Sequence, residues 1–227
     1  MQALKQFLRS IPVVGDALVA AKGAFSKRLE FKHSGQYWED RYALGGNSGA
    51  GSYNRLAHFK AEIINQFVRN HAVASIIEFG VGDGAQLALA EYPSFVGVDV
   101  SRTAVEHCRA RFSSDPTKKF YVLGEQAATT AELALSLDVI YHLVEDAVFE
   151  SYMHTLFESA TRYVIIYASD RDESWSSKHV RHRNFTRWVS EHVKDWSLSE
   201  RIANRYPFDP ADQDNTSFAD FFVYVRA

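Results

Sequence analysis

A lone cysteine, Cys108, stands in the 227 residues, so no internal disulfide and no cysteine-based zinc cluster can form. Its helical spacing with Val105 and Phe112 reads as a small buried side chain before a reactive thiol. No apolar run approaches the roughly 20 residues that span a bilayer. Lys5 and Arg9 precede an apolar stretch at 11–21, as in an export signal, but Pro12 and Asp16 interrupt it. A cytoplasmic location is therefore expected. Positive charge is also short: the formal net charge is −3, with a pI near 6.3, which gives no field suited to nucleic acid. No internal repeat or low-complexity tract is visible.

What remains is a folded globular composition, 46% hydrophobic and 23% charged, in a chain long enough for one α/β domain. Charge is uneven. Residues 1–32 carry six Lys/Arg against two Asp/Glu, while the rest is near −7. Leu4, Phe7, Leu8 and Ile11 recur at helical spacing, so residues 1–34 read as a basic amphipathic helical arm. A flap on the domain, a partner contact and a weak membrane-surface contact are its open readings.

Residues 35–52 mix aromatics with glycines, and Gly45–Ser52 has the look of a phosphate loop. It lacks the Gly-Lys-Ser/Thr ending and a preceding strand, so that reading is set aside. Leu56, Phe59, Ile63, Ile64, Phe67 and Val68 mark an amphipathic helix over 53–70. From residue 75, strands are expected over 75–79, 95–98, 119–123, 134–140 and 163–168. Helices are expected between them over 84–91, 101–112 (with Ser101 as cap), 146–160 and 184–193. Two strands, 196–202 and 217–225, close the chain. This alternation predicts a doubly wound, mostly parallel sheet with helices on both faces over 35–227.

Open sheets of this kind bind ligands beyond the carboxyl ends of their strands. The first strand runs into Glu78-Phe-Gly-Val-Gly-Asp-Gly84. Gly80 and Gly82 let the backbone turn sharply against a ligand, and Gly84 permits close packing where a helix starts. The second strand ends at Asp99, placed to accept hydrogen bonds from ribose hydroxyls. Together these indicate a nucleoside site. A nicotinamide or flavin site would show Gly-x-Gly-x-x-Gly facing a pyrophosphate. Here the third glycine comes one residue early, and Glu78 would repel a pyrophosphate while suiting a cofactor with an ammonium and a sulfonium.

On the residues Glu78–Gly84 and Asp99 the chain resembles the class I S-adenosylmethionine-dependent methyltransferases, over roughly 35–227. The resemblance implies a Rossmann-like seven-stranded sheet closed by an antiparallel hairpin, with S-adenosyl-L-methionine as cofactor. It places Gly80, Gly82 and Gly84 along the methionine part, Glu78 at its amino group and Asp99 at the ribose. Val100 would touch the adenine, and Glu125 or Gln126 its exocyclic amine. Tyr37, Trp38 and Arg41 stand where small-molecule members carry an N-terminal lid, expected here at 35–70. Arg41 would then pair with the methionine carboxylate; hydrophobic packing of the arm is the plainer reading of the two aromatics.

Methyl transfer from a sulfonium is an in-line displacement, so positioning supplies much of the catalysis, and a hydroxyl acceptor also needs a base. His142, just beyond strand four, is the candidate base or acceptor-orienting group, against plain capping of its loop. Tyr141, Glu145 and Asp146 are the fallbacks, and either acid could instead serve the following helix dipole. This turn lacks the Asp/Asn-Pro-Pro-Tyr/Phe of amino-methylating DNA enzymes, and no two-glutamate hairpin of protein-arginine methyltransferases is found. In the loop after strand five, Arg181, His182 and Arg183 read as a clamp for an acceptor phosphate or carboxylate, or as a solvated helix entry. A metal site from His179, His182 and Asp170 has no supporting spacing, and none is expected. The acceptor is expected to be small and polar, a sugar or a phosphorylated metabolite. The chain is also similar to methyltransferases that accompany bacterial surface-glycan (polysaccharide) biosynthesis. A nucleotide-cofactor oxidoreductase of the NAD type and a non-catalytic cofactor-fold subunit are the alternatives.

Overall fold

Ile76–Phe79 (β1) is apolar except for Glu78 and is buried at every position, as a central strand covered on both faces must be. In the computed structural model, which describes residues 30–125 and 129–227, β1 pairs in parallel with Phe95–Asp99 (β2) and Ala131–Leu137 (β4). Lys118–Val122 (β3) extends the sheet beyond β2, and Ala160–Ala168 (β5) beyond β4, all parallel. Asp220–Arg226 (β7) then inserts antiparallel between β5 and Trp196–Ile202 (β6). The seven strands run in the order β3-β2-β1-β4-β5-β7-β6. The expected mostly parallel sheet with an antiparallel closing pair is what the chain forms, and the order reverses between β1 and β4.

Among the described residues are five α-helices: α1 (Ser34–Ala43), α2 (Asn54–Asn70), α3 (Arg102–Arg111), α4 (Asp146–Glu158) and α5 (Phe185–His192). Phe59, Ile64 and Val68 of α2 and Val105 and Cys108 of α3 pack on one face of the sheet, against Phe95, Leu133 and Ile165. Phe149 and Met153 of α4 and Phe185 and Val189 of α5 cover the other, against Ile77, Val164 and Phe222. Ser101 caps α3 by accepting from Ala104 N, as its residue type suggested. The basic arm expected over 1–34 lies, through residue 29, outside the described residues, as does Gln126.

Three elements differ from the sequence reading. The helix expected over 84–91 shrinks to a 3-10 turn at Leu87–Leu89. Asn65 of α2 ends it, donating to Leu89 O and accepting from Glu91 N, and Pro93 holds the preceding chain extended. Strand β4 stops at Leu137, earlier than expected, because Asp138 turns into left-handed backbone (φ 62°) and Ile140–His142 forms a 3-10 turn. Helix α1 was not expected. It has no apolar stripe, and its buried residues are Ser34, Tyr37 and Tyr42.

Candidate functional site

The turn after β1 is held open by three glycines with positive φ, Gly80 (88°), Gly82 (58°) and Gly84 (73°). A Cβ on Gly82 would collide with Ser48 and the Tyr42 hydroxyl, so the N-terminal segment can lie directly on this turn only because Gly82 has none. Asp99, at the end of β2, ties the same turn down. Its Oδ2 accepts from Gly82 N and its Oδ1 from Ser101 N, both at 2.9 Å. Burial pushes its carboxyl up to about 6 despite these bonds. Cys108 Sγ donates to Gly82 O from behind, the buried structural role its spacing suggested.

Glu78 is 3% exposed, and among the described residues no donor reaches its carboxyl. Desolvation raises it to about 8, with Lys60 pulling the other way and Asp99 reinforcing the rise. Lys60, on α2, is wholly buried. Its Nζ donates to Asp138 Oδ2 at 2.6 Å and lies 5.3 Å from the Tyr167 ring centre. Asp138 Oδ1 accepts from the Tyr141 hydroxyl at 2.7 Å. Lys60 and Asp138 are not among the residues expected at the site from the sequence. A signal for the first was there: Lys60 sits four residues from Leu56 and four from Ile64, a charge inside the apolar stripe of α2.

These groups surround a cavity of about 650 Å³ at the carboxyl ends of β1, β2 and β4. Of the residues expected at the site, Glu78, Gly80, Gly82, Asp99, Val100, Trp38 and His142 line it, joined by Lys60 and Asp138. Val100, Leu123 and Val148, 46%, 49% and 44% exposed, form apolar walls with nothing over them.

Helix α1 and the loop after it form the roof. Ser34 bonds both oxygens of Glu145, and Glu39 accepts from Ser101 Oγ and Thr103 Oγ1 at the start of α3. Ser48 and Asp83 exchange hydrogen bonds at 3.0 Å, and the Tyr53 hydroxyl donates to Asp83 at 2.5 Å. The glycine-rich loop 45–52 is therefore a clasp on the first turn, with Asp83 held ionised by these donors against its burial. Tyr37 stacks on His179 at 4.5 Å, and the Trp38 ring meets His142 edge-on at 4.8 Å.

His142 Nδ1 lies 2.9 Å from His179 O. A carbonyl only accepts, so Nδ1 carries the proton and Nε2 keeps its lone pair. Desolvation lowers the ring to about 4, so it is neutral at pH 7.

The other expected residues among those described do not line the cavity. Gly84 packs behind the turn, against Phe112 and Cys108. Arg41 donates to Asn47 O at 2.6 Å, with its guanidinium 5.4 Å from the Trp38 ring centre. Glu125 pairs with Arg102 at 2.5 Å, Tyr141 is buried beneath Asp138, and Glu145 fastens α1. Arg183 donates to Leu143 O and Val144 O and pairs with Asp146 at 3.0 Å. Arg181 reaches Val144 O and Asp146, and His182 bonds Ser169. Asp170 accepts from Thr186 N and Oγ1, and among the described residues no group of three or more His, Cys, Asp or Glu side chains is placed to hold a metal ion. No described helix is long and apolar enough to cross a membrane.

No family model and no curated protein matches the chain. Solved structures do. The N-methyltransferase NodS from Bradyrhizobium japonicum, in complex with S-adenosylhomocysteine, is 15% identical with a TM-score of 0.65, covering 86% of this chain and 99% of its own. Magnesium protoporphyrin IX methyltransferase (ChlM) from Synechocystis with bound S-adenosylmethionine is 13% identical with a TM-score of 0.61, over 87% and 99%. The methyltransferase domain of bacterial CtHen1 is 16% identical with a TM-score of 0.58, over 74% and 97%. Strand order, the glycine turn and these likenesses agree: the chain has the fold of the class I S-adenosylmethionine-dependent methyltransferases.

Proposed function

We propose that the cavity binds S-adenosyl-L-methionine and that the protein is a methyltransferase acting on a small polar acceptor. The observation that carries this reading is the pairing, in one cavity, of a buried carboxyl without a donor, Glu78, with uncovered apolar walls at Val100 and Leu123. A ligand with a cation at one end and a flat apolar ring at the other satisfies both. Glu78 would hold the ammonium, Asp99 the ribose, and Val100 and Leu123 the adenine. When bound, the cofactor supplies an activated methyl group on a sulfonium.

The chain's own residues do the rest. Helix α1 and the Ser48–Asp83 clasp cover the cavity from the N-terminal side. His142, neutral and with its Nε2 lone pair free, accepts a hydrogen bond from the acceptor and draws its proton off as the methyl arrives. Its low basicity suits orienting a hydroxyl more than stripping it beforehand. The guanidiniums of Arg181 and Arg183 are already bound to Leu143, Val144 and Asp146, which favours a neutral acceptor over a phosphorylated one. Trp38 beside His142 offers a ring face on which a sugar can stack, so we favour a sugar hydroxyl.

The test is calorimetric titration with S-adenosylhomocysteine and, in parallel, with NADH. Binding of the first alone is expected; binding of NADH alone would overturn the reading. With radiolabelled S-adenosylmethionine and a panel of sugars, His142→Ala should lower kcat at least about 100-fold while cofactor affinity stays within about twofold.

A further inference from the structure

The Glu78 carboxyl is not the only ionisable group in the cavity floor short of partners. An ammonium group has three N–H donors. Lys60 Nζ spends one on Asp138, and the Tyr167 ring flanks it on another side. Lys60 is wholly buried, yet it lines the cavity, and no other lysine or arginine does so among the described residues. Asp138 is shaped for this lysine. Its backbone holds the costly left-handed conformation, its second oxygen is fixed by Tyr141, and the Gly51 backbone closes over it.

Burying a lysine and an acid with no donor in one cavity floor costs stability, and a ligand that pairs with both offsets it. An α-amino acid does so, offering an ammonium and a carboxylate on neighbouring atoms. We propose that Lys60, positioned by Asp138, binds the carboxylate of the methionine part while Glu78 binds its ammonium, so that the floor is a receptor for an amino-acid zwitterion. This rests on the reading of the cavity as an S-adenosylmethionine site. It moves the carboxylate from Arg41, which faces Asn47 outside the cavity, to a residue inside it.

The experiment compares three probes on the full-length protein. They are S-adenosylhomocysteine, its decarboxylated analogue lacking only the carboxylate, and 5′-methylthioadenosine lacking the whole amino-acid part. Lys60→Met is expected to weaken S-adenosylhomocysteine about 10- to 100-fold while the other two change less than about twofold. Because Lys60→Met strands Asp138 without its cation, the double variant Lys60→Met/Asp138→Asn is measured beside it and should show the same selective loss. Equal loss on all three probes would make Lys60 merely structural and overturn the proposal. So would an unchanged S-adenosylhomocysteine affinity in both variants. Wild-type protein that binds neither S-adenosylhomocysteine nor 5′-methylthioadenosine would instead overturn the cofactor reading, and this inference with it.

Discussion

Two charged clusters flank the carboxyl ends of the central strands, and they are built on opposite principles. In Arg181–Arg183, the cluster most conspicuous along the chain, both guanidiniums are already bound, and only the buried Nε2 of His182 has no partner among the described residues. Arg183 caps two carbonyls, pairs with Asp146 and lies 4.7 Å from the Phe149 ring centre, and Arg181 repeats two of those contacts. In Glu78, Lys60 and Asp138, scattered over 78 residues of sequence, one carboxyl has no donor and one ammonium has a single hydrogen-bonded partner. Density of charge along a chain therefore does not mark a binding site. A buried ionisable group short of partners is the better candidate, because its desolvation is costly and a ligand that pairs with it offsets that cost.

The sharpest way to break this contrast is Glu78→Gln. It should weaken S-adenosylhomocysteine about 100-fold by calorimetry, since a charge-assisted contact at a buried group is lost. The melting temperature should hold or rise, because an unpaired buried acid is gone. An unchanged affinity would mean that the cavity does not read the cation.

Next in size is the pH response. The carboxyl of Glu78 lies at about 8 in the folded protein against 4.5 in the open chain. Its raised value means that the free protein is most stable with Glu78 protonated and loses that contribution as pH rises from 4.5 through 8. Binding an ammonium requires the ionised form. Affinity should therefore climb with pH between about 6 and 8, by up to about tenfold per unit, with release of a proton. Asp99, raised to about 6 and facing Glu78, adds to the slope only at its lower end. The slope should vanish in Glu78→Gln, and a flat profile in the wild type would sink the assignment.

Arg183→Ala probes the other cluster. It should cost about 2 kcal/mol and about 6 °C of melting temperature through the stranded carbonyls of Leu143 and Val144. Acceptor KM should not move; a rise in KM without loss of stability would return this loop to the binding site. Smallest is Ser48→Ala, which removes the hydroxyl side of the clasp on Asp83. About 1 kcal/mol of stability should be lost, with cofactor affinity within about threefold.

Much of the fold is legible in the sequence alone. The glycine turn and Asp99 could be read because backbone conformation at Gly80 and Gly82 is a local demand on residue type. Lys60 left a local trace, a charge interrupting the stripe of Leu56 and Ile64, but its partner Asp138 lies 78 residues away. Helix α1 left none. It is fixed by Ser34 on Glu145 and Glu39 on Ser101 and Thr103, contacts that no periodicity records. The helix expected at 84–91 failed for the same reason, since Asn65 from α2 takes over its last turn.

The sequence by itself determined the sheet, the helices that cover its two faces and the glycine turn at the cavity, because periodicity and glycine act over a few residues. Tertiary structure alone decided which charges are neutralised and which are left facing the cavity, because that depends on partners brought together across the chain. The Arg181–Arg183 loop and the Glu78–Lys60 floor differ in that respect, and only the folded protein separates them.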